Sequence, residues 1–161
     1  MSNSSMFEYS KLKEIDCIIP PTEDYGGLYL GNLQGAKNHE LLRKTQIRAV
    51  LTVAKGTGLN YQKIDPVVNF HEVIPADDVE TYDLSQYFDL GIEFIERHRK
   101  YTSVFVHCFY GVSRSASIVI AYLMKKNKWQ FERAILDVKE KRIINPNCGF
   151  IRQLQNFEKV L

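Results

Sequence analysis

The chain has 161 residues, of which 45% are hydrophobic and 25% charged, and its formal net charge is +2. These values are typical of one globular domain that buries roughly two-thirds of its unfolded surface. So small a net charge excludes a general attraction to nucleic acid or to an anionic membrane. No apolar run approaches the roughly 20 residues of a membrane span. We therefore expect neither nucleic acid nor a membrane as a partner.

The first ten residues are polar, so we expect residues 1–10 to be flexible and residues 11–161 to form a single domain. Apolar and β-branched runs predict strands at residues 15–20, 28–33, 48–54, 67–75 and 103–106. Helical spacing of apolar residues predicts helices at residues 38–44, 84–100, 115–126, 130–141 and 149–160. Alternating strands and helices indicate an α/β fold with a central, mostly parallel sheet of about five strands flanked by helices.

The most informative segment is HCFYGVSRS, which lies between a buried strand and the start of a helix. Successive backbone N–H groups in such a loop can surround one tetrahedral anion, and the helix directs the positive end of its dipole at the same point. Gly111 permits a conformation that a side chain would obstruct. Arg114 adds a planar fork for two phosphate oxygens. The predicted phosphate-binding residues are Phe109, Tyr110, Gly111, Val112, Ser113 and Arg114.

Cys108 begins this loop, where the same positive field acts on its thiol. Cysteines at helix N-termini beside cationic groups ionise well below the ordinary thiol range. We therefore expect Cys108 to be a thiolate at neutral pH and to act as a nucleophile. Ser115 is placed to donate its hydroxyl to the sulfur, and His107 to order the loop by hydrogen bonding.

The other two cysteines, Cys17 and Cys148, share no regular spacing with Cys108, which argues against a disulfide framework. We expect reduced thiols and a cytoplasmic location, with the nucleus as a second compartment. Cys17 and Cys148 are interpreted as small buried hydrophobic residues, with resolution of an oxidised Cys108 as an alternative role for one of them. The histidines show no metal-ligand spacing with the cysteines, so neither a metal nor another cofactor is expected.

A thiolate that attacks a phosphoester expels an oxygen leaving group, which needs a proton from a nearby acid. The segment ADDVET follows a predicted strand and supplies Asp77 and Asp78. Active sites gather at the carboxyl ends of parallel strands, so either residue would lie on the rim of the phosphate loop. These considerations leave the choice between the two open, whereas Asp83 is interpreted as a helix N-cap.

HCFYGVSRS is similar to the active-site motif of the protein tyrosine phosphatases, and specifically of their dual-specificity branch. The segments LYLGN, RAVLTVA, DLSQYF, SASIVIAYLM and NPNCGF resemble further landmarks of that branch, so the resemblance extends over residues 28–161. It implies a protein tyrosine phosphatase-like fold and a dual-specificity phosphatase catalytic domain in a small, atypical member. The family's cysteine, arginine and following hydroxyl match Cys108, Arg114 and Ser115.

The resemblance also separates the two candidate acids. In the family pattern the general acid stands six residues before the Leu of the DLSQYF-type segment, and that position is Asp78 in this chain. The implied reaction is hydrolysis of phosphotyrosine and phosphoserine or phosphothreonine monoesters through a phosphocysteine. The implied partners are phosphorylated proteins, with kinases as one candidate class.

Two other functions remain open at this stage. One is a phosphoprotein-binding pseudophosphatase, although the chain retains both the cysteine and the acid. The other is a phosphatase for a lipid, glycan or RNA 5′-triphosphate. Phosphoinositide-directed relatives usually carry basic residues inside the loop, and this loop has no Lys and no second Arg. Its charge therefore favours phosphoproteins. The oligomeric state is not predicted.

Overall fold

A five-stranded sheet forms the centre of the computed structural model, which describes residues 12–61 and 67–161. Its strands are β1 Ile15–Ile19, β2 Leu28–Gly31, β3 Ile47–Val53, β4 Phe70–Ile74 and β5 Ser103–His107. They lie in the order β1-β2-β5-β3-β4, with β1 antiparallel to β2 and the other neighbours parallel. The predicted mostly parallel five-stranded sheet is thus confirmed. The prediction for residues 1–10 lies outside the described residues.

Helices cover both faces of this sheet. Within the described ranges they are α1 Leu33–Lys37, α2 His39–Lys44, α3 Phe88–Arg99, α4 Arg114–Asn127, α5 Phe131–Lys141 and α6 Cys148–Glu158, with a 3-10 turn at Ser85–Tyr87 before α3. None of the helices in these ranges is long and apolar enough to cross a membrane.

The central strand β5 shows why both faces are covered, because every one of its residues is buried. Side chains alternate across a strand, so Val104 and Val106 join the larger core cluster under α3 to α6, whereas Phe105 joins the smaller cluster under α1 and α2. An apolar strand buried on both faces is typical of a parallel sheet between helical layers. This rigid centre carries the loop of residues 108–113 at its carboxyl end.

Two local predictions were wrong. The strand predicted to reach residue 33 ends at Gly31, because the Asn32 side chain accepts a hydrogen bond from Gly35 N–H and caps α1, a helix that the sequence did not predict. Asp83 does not cap a helix. The N–H groups of Leu84 and Ser85 instead donate to Gln153 Oε1 on α6, which ties the start of the α3 region to the last helix.

Candidate active site

The loop of residues 108–113, which we call the phosphate loop, directs every one of its carbonyl groups to a donor. The carbonyls of Tyr110 and Gly111 both accept from the Arg142 guanidinium at 2.9 Å. The other four accept from donors on four further segments: Cys108 from His107 Nδ1, Phe109 from Leu33 N–H, Val112 from Asn145 N–H, and Ser113 from Ser117 N–H and Oγ.

The orientation of these carbonyls fixes the orientation of the amides. Across a trans peptide bond the C=O of one residue and the N–H of the next point in opposite directions, and no described peptide bond is cis. Six carbonyls held by partners around the loop therefore turn the six N–H groups of residues 109–114 toward its interior. Inward amides of this kind bind anions.

Gly111 is the residue that allows this turn. Its φ is +69°, and a Cβ at this position would lie 2.3 Å from the Gly31 carbonyl oxygen and 2.7 Å from Arg142 Nη2. Any side chain would therefore both strain the backbone and displace its neighbours. The conformational role predicted for Gly111 is the one the structure shows.

The Cys108 sulfur lies inside the phosphate loop, with 2% of the residue exposed. Its Sγ is 3.0 Å from Ser115 Oγ and accepts a hydrogen bond from Gly111 N–H at 3.2 Å. Ser115 belongs to the first turn of α4, so the amino end of that 14-residue helix faces the same sulfur. Two hydrogen-bond partners and a helix N-terminus thus converge on this sulfur.

Arg114 lies at the first position of α4, between the phosphate loop and the acidic loop of residues 75–83. Its Nη1 donates to the Ala76 carbonyl at 3.1 Å, and its guanidinium carbon lies 5.4 Å from the centre of the Phe109 ring. Its Nε is buried without a hydrogen-bond partner among the described residues. A buried guanidinium N–H with spare bonding capacity is suited to a phosphate oxygen.

The structure distinguishes the two candidate acids by their partners. Asp77 forms an ion pair with Lys55 at 3.0 Å. Asp78 is exposed and accepts a hydrogen bond at 2.9 Å from the neutral side-chain amide of Asn147. The residue preferred from the family pattern is therefore the one whose carboxylate is held by an uncharged donor.

Asn147 connects the acidic loop to the phosphate loop, a role that the sequence analysis did not predict. Besides its bond to Asp78, its backbone N–H donates to Ser113 Oγ at 3.0 Å, and its side-chain oxygen caps α6 by accepting from Phe150 N–H at 2.9 Å. One residue thus fixes the acid, the loop and the helix relative to one another. Ser113 has the local bonding role that the sequence suggested.

Arg142 is a second residue that sequence reasoning missed. Only 3% of it is exposed, and in addition to the two phosphate-loop carbonyls its Nη1 donates to the Lys13 carbonyl at 2.8 Å and to Asp16 Oδ2 at 2.9 Å. Burial lowers the pKa of Arg142, and the Asp16 carboxylate opposes that effect. The guanidinium therefore joins the loop to strand β1, at the edge of the sheet.

His107 lies directly before the phosphate loop and is fully buried. Its Nδ1 is 3.0 Å from the Cys108 carbonyl, so its bond is to the main chain of Cys108 and not to the sulfur. Burial lowers its pKa to about 4, and the imidazole is therefore neutral at pH 7. His107 thus bonds to the main chain of the phosphate loop, the role that the sequence led us to expect.

Cys17 and Cys148 were predicted to be buried, and that prediction was wrong, since both are exposed. Cys17 lies on the edge strand β1, where Ile18 takes the core-facing position, and Cys148 follows the N-cap of α6. Cys17 pairs with Tyr29, which pairs with Phe105. Cys17 is therefore two strand spacings away from β5, at the level of Phe105, and Cys108 lies three residues further along β5. The two cysteines are about 14 Å apart, too far for a disulfide without backbone movement.

No group of three or more His, Cys, Asp or Glu side chains placed to hold a metal ion occurs within residues 12–61 and 67–161. The site consists instead of a buried sulfur, a ring of amides, a guanidinium and a carboxyl on a neighbouring loop. Such a combination can hold a tetrahedral oxyanion next to a thiol.

Residues 28–160 match the family model described as the dual specificity phosphatase catalytic domain. The chain belongs to this family, as its motifs suggested.

Similar proteins occur in distant organisms. The chain is 43% identical over 135 residues to dual specificity protein phosphatase 1 of Arabidopsis thaliana, covering 83% of this chain and 66% of that protein. It is 41% identical over 143 residues to the protein phosphatase Slingshot homolog of Xenopus laevis, covering 88% of this chain and 20% of that protein. The crystal structure of human DUSP28 superposes with a TM-score of 0.80 at 25% identity, covering 92% of this chain and 95% of the other. The chain thus spans less than two-thirds of the length of both of these sequence relatives.

Proposed function

We propose that this chain hydrolyses phosphotyrosine and phosphoserine or phosphothreonine monoesters in proteins, with Cys108 as nucleophile, Arg114 as phosphate ligand and Asp78 as general acid. The observation that carries the proposal is the outward bonding of all six phosphate-loop carbonyls. It leaves a ring of inward amides around a buried sulfur. Such a ring is preorganised for the equatorial oxygens of a phosphoryl group and costs no reorganisation during the reaction.

The first step transfers the phosphoryl group to sulfur. The Cys108 thiolate attacks phosphorus in line with the leaving oxygen, an S–P bond forms and the P–O ester bond breaks. Asp78 gives its proton to the leaving oxygen, and the dephosphorylated side chain departs as an alcohol or phenol. The amides of residues 109–114 and the Arg114 guanidinium hold the three equatorial oxygens throughout.

The second step releases phosphate. Asp78, now a carboxylate, removes a proton from a water molecule that attacks phosphorus, and the S–P bond breaks. Cys108 leaves as a thiolate, which is a better leaving group when a donor meets it. The Ser115 hydroxyl, 3.0 Å from the sulfur, supplies that donor.

The charge of the site supports phosphoproteins as the substrate class. The phosphate loop contains neither Lys nor Arg, and Arg114, which follows it, binds the phosphate being transferred. Tyr110 at its rim is 62% exposed, which gives a polypeptide an aromatic surface to contact. We extend the proposal to phosphorylated kinases as one substrate class and to the cytoplasm and nucleus as the locations.

The decisive experiment is hydrolysis of a chromogenic aryl phosphate in the presence of EDTA, with wild-type protein and Cys108→Ser. We expect turnover by the wild type and none by the variant, which should still bind a phosphotyrosine peptide. Retained activity in Cys108→Ser would refute the assignment of the nucleophile. A wild type that binds phosphopeptide but shows no turnover would indicate a pseudophosphatase.

The substrate class needs a separate test. A panel of phosphotyrosine and phosphothreonine peptides, a phosphoinositide, a phosphoglucan and an RNA 5′-triphosphate should show the highest kcat/KM on the peptides. An Asp78→Ala protein, in which the first step is slowed, should retain phosphorylated proteins from a cell extract. Release of those proteins by vanadate would show that they occupy the phosphate loop.

A further inference from the structure

Three side chains form a hydrogen-bonded line that leads away from the phosphate loop across three adjacent strands. His107 Nε2 on β5 is 2.7 Å from Thr52 Oγ1 on β3, and the same hydroxyl oxygen is 2.7 Å from His71 Nε2 on β4. Thr52 and His107 are fully buried, whereas His71 is only half-buried. None of these bonds is part of the proposed reaction, so the line needs its own explanation.

The contact between His107 and the Cys108 carbonyl determines which atom donates and which accepts in every bond of this line. His107 Nδ1 faces the Cys108 carbonyl, which can only accept, so Nδ1 carries the proton. His107 is neutral at pH 7, since burial lowers its pKa to about 4, and its Nε2 is therefore an acceptor. The Thr52 hydroxyl must then donate to His107, and its oxygen is left to accept from His71 Nε2–H.

The sheet places these groups in one line, and aromatic rings fix their planes. Thr52 is the register partner of His107 in the parallel β3–β5 pair. The His107 ring stacks on Phe105 at 5.4 Å with an interplanar angle of 18°, and Tyr61 contacts the His71 ring edge-on at 4.9 Å. Rotation of either imidazole out of line would break these ring contacts, so both rings are preorganised.

We propose that Thr52 and His71 are positioning residues of the phosphate loop, which hold His107 in the tautomer that donates to the Cys108 carbonyl. The carbonyl of Cys108 and the N–H of Phe109 belong to one peptide unit. A hydrogen bond from His107 to this carbonyl therefore keeps the Phe109 N–H, the first of the inward amides, turned toward the interior of the phosphate loop. The consequence for catalysis rests on the proposed function, whereas the bond directions do not.

Loss of the Thr52 hydroxyl should disturb this arrangement in a defined way. Without a donor, the buried His107 Nε2 is an unsatisfied acceptor. If the proton moves to Nε2, a lone pair on Nδ1 faces the Cys108 carbonyl and repels it. Either outcome releases the first peptide unit of the loop and weakens the stabilisation of charge at the sulfur and on the phosphoryl group.

The test compares three substitutions with a matched control. Thr52→Val removes the hydroxyl at nearly constant volume, and Thr52→Ser retains it. His71→Phe removes the outer donor, and His98→Phe removes another half-buried histidine that contacts only Phe70 and Phe94 rings among its described aromatic neighbours. For each protein we would measure kcat and KM on an aryl phosphate and the rate of iodoacetate alkylation of Cys108 from pH 5 to 9.

We expect Thr52→Val to lower kcat about tenfold, which corresponds to about 1.4 kcal/mol, with KM changed less than twofold. Its alkylation midpoint should move to higher pH. Thr52→Ser should stay within threefold of the wild type, His71→Phe should lower kcat about threefold, and His98→Phe should change neither quantity. A Thr52→Val protein with wild-type kcat and alkylation profile would overturn the proposal.

A measurement on the unsubstituted protein keeps the proposal testable if Thr52→Val does not fold. Nitrogen-15 NMR of the histidine side chains at pH 7 should show His107 with a protonated Nδ1 and an unprotonated Nε2. It should show His71 with a proton on Nε2. The opposite assignment at His107 refutes the positioning role of Thr52 and His71. This spectrum and the alkylation assay need no turnover. An inactive wild type would therefore reject the proposed function and leave the positioning role to be judged by these two measurements.

Discussion

Replacement of Arg142 by Met gives the sharpest test of how the phosphate loop is held. The substitution leaves the Asp16 carboxylate, whose side chain is 15% exposed, without its ion-pair partner. It also removes the guanidinium donor from the carbonyls of Lys13, Tyr110 and Gly111. Removing one partner of a buried pair costs about 3–5 kcal/mol, and each lost carbonyl bond about 1 kcal/mol.

The partial exposure of Asp16 places the pair at the lower end of that range, so with the three lost carbonyl bonds we expect a total loss of about 6 kcal/mol. At 2–4 °C per kcal/mol for a domain of this size, Tm should fall by roughly 12–24 °C. In the protein that remains folded at 15 °C, kcat should fall at least about tenfold, because two loop amides lose their orientation.

Urea denaturation, a thermal melt and aryl phosphate kinetics at 15 °C measure these effects. Arg142→Lys retains the charge but not the planar fork and should show an intermediate loss. Arg152→Met, an exposed arginine on α6, is the control and should change Tm by less than 2 °C. An Arg142→Met protein with Tm and kcat equal to those of the control would refute the claim that this guanidinium holds the loop.

Three further predictions concern the site. Gly111→Ala should lower kcat by about 100-fold or more in steady-state assays, because the added Cβ strains a positive φ and displaces the amide that bonds to the sulfur; a loss below threefold would contradict this. Asp78→Asn should lower kcat about 100-fold and Asp77→Asn less than threefold, and the reverse order would transfer the acid to Asp77. Stability should fall as the pH decreases from about 6.5 to 4, because His107, with its pKa lowered to about 4, takes up a proton more readily when unfolded. The loss between pH 7 and a pH below 4 is about 3 kcal/mol. Urea denaturation at several pH values should therefore give a shallower pH dependence for His107→Asn, and an unchanged dependence would refute this.

The part of the site that is contiguous in sequence was predictable. Cys108, Gly111, Arg114 and Ser115 fall within eight residues, and the strand before them and the helix after them leave the chain few ways to turn. Their spacing therefore specifies the geometry almost alone. The sheet was predictable for a similar reason, since β3 and β5 are apolar enough to require cover on both faces.

The parts that were missed depend on distant contacts. Arg142 and Asn147 lie about 30 residues beyond the phosphate loop, and a single Arg or Asn in a polar stretch gives no local signal of what it will contact. Helix α1 was missed because it is five residues long and directly follows an apolar strand. The exposure of Cys17 was mispredicted because neighbouring side chains of a strand face opposite sides of the sheet, and Ile18 takes the side that faces the core.

Because the phosphate loop is anchored through its main chain, the chemistry of the active site and the recognition of proteins at its rim can change independently in evolution. Six carbonyl oxygens of the phosphate loop accept the bonds that orient its peptide units, so these bonds do not depend on which side chains stand at positions 109 and 110. Tyr110 projects toward the surface, where a different residue would alter which proteins are recognised while leaving the chemical step in place. A lineage of such domains can therefore acquire new targets by exchanging rim residues, without having to rebuild its reaction centre.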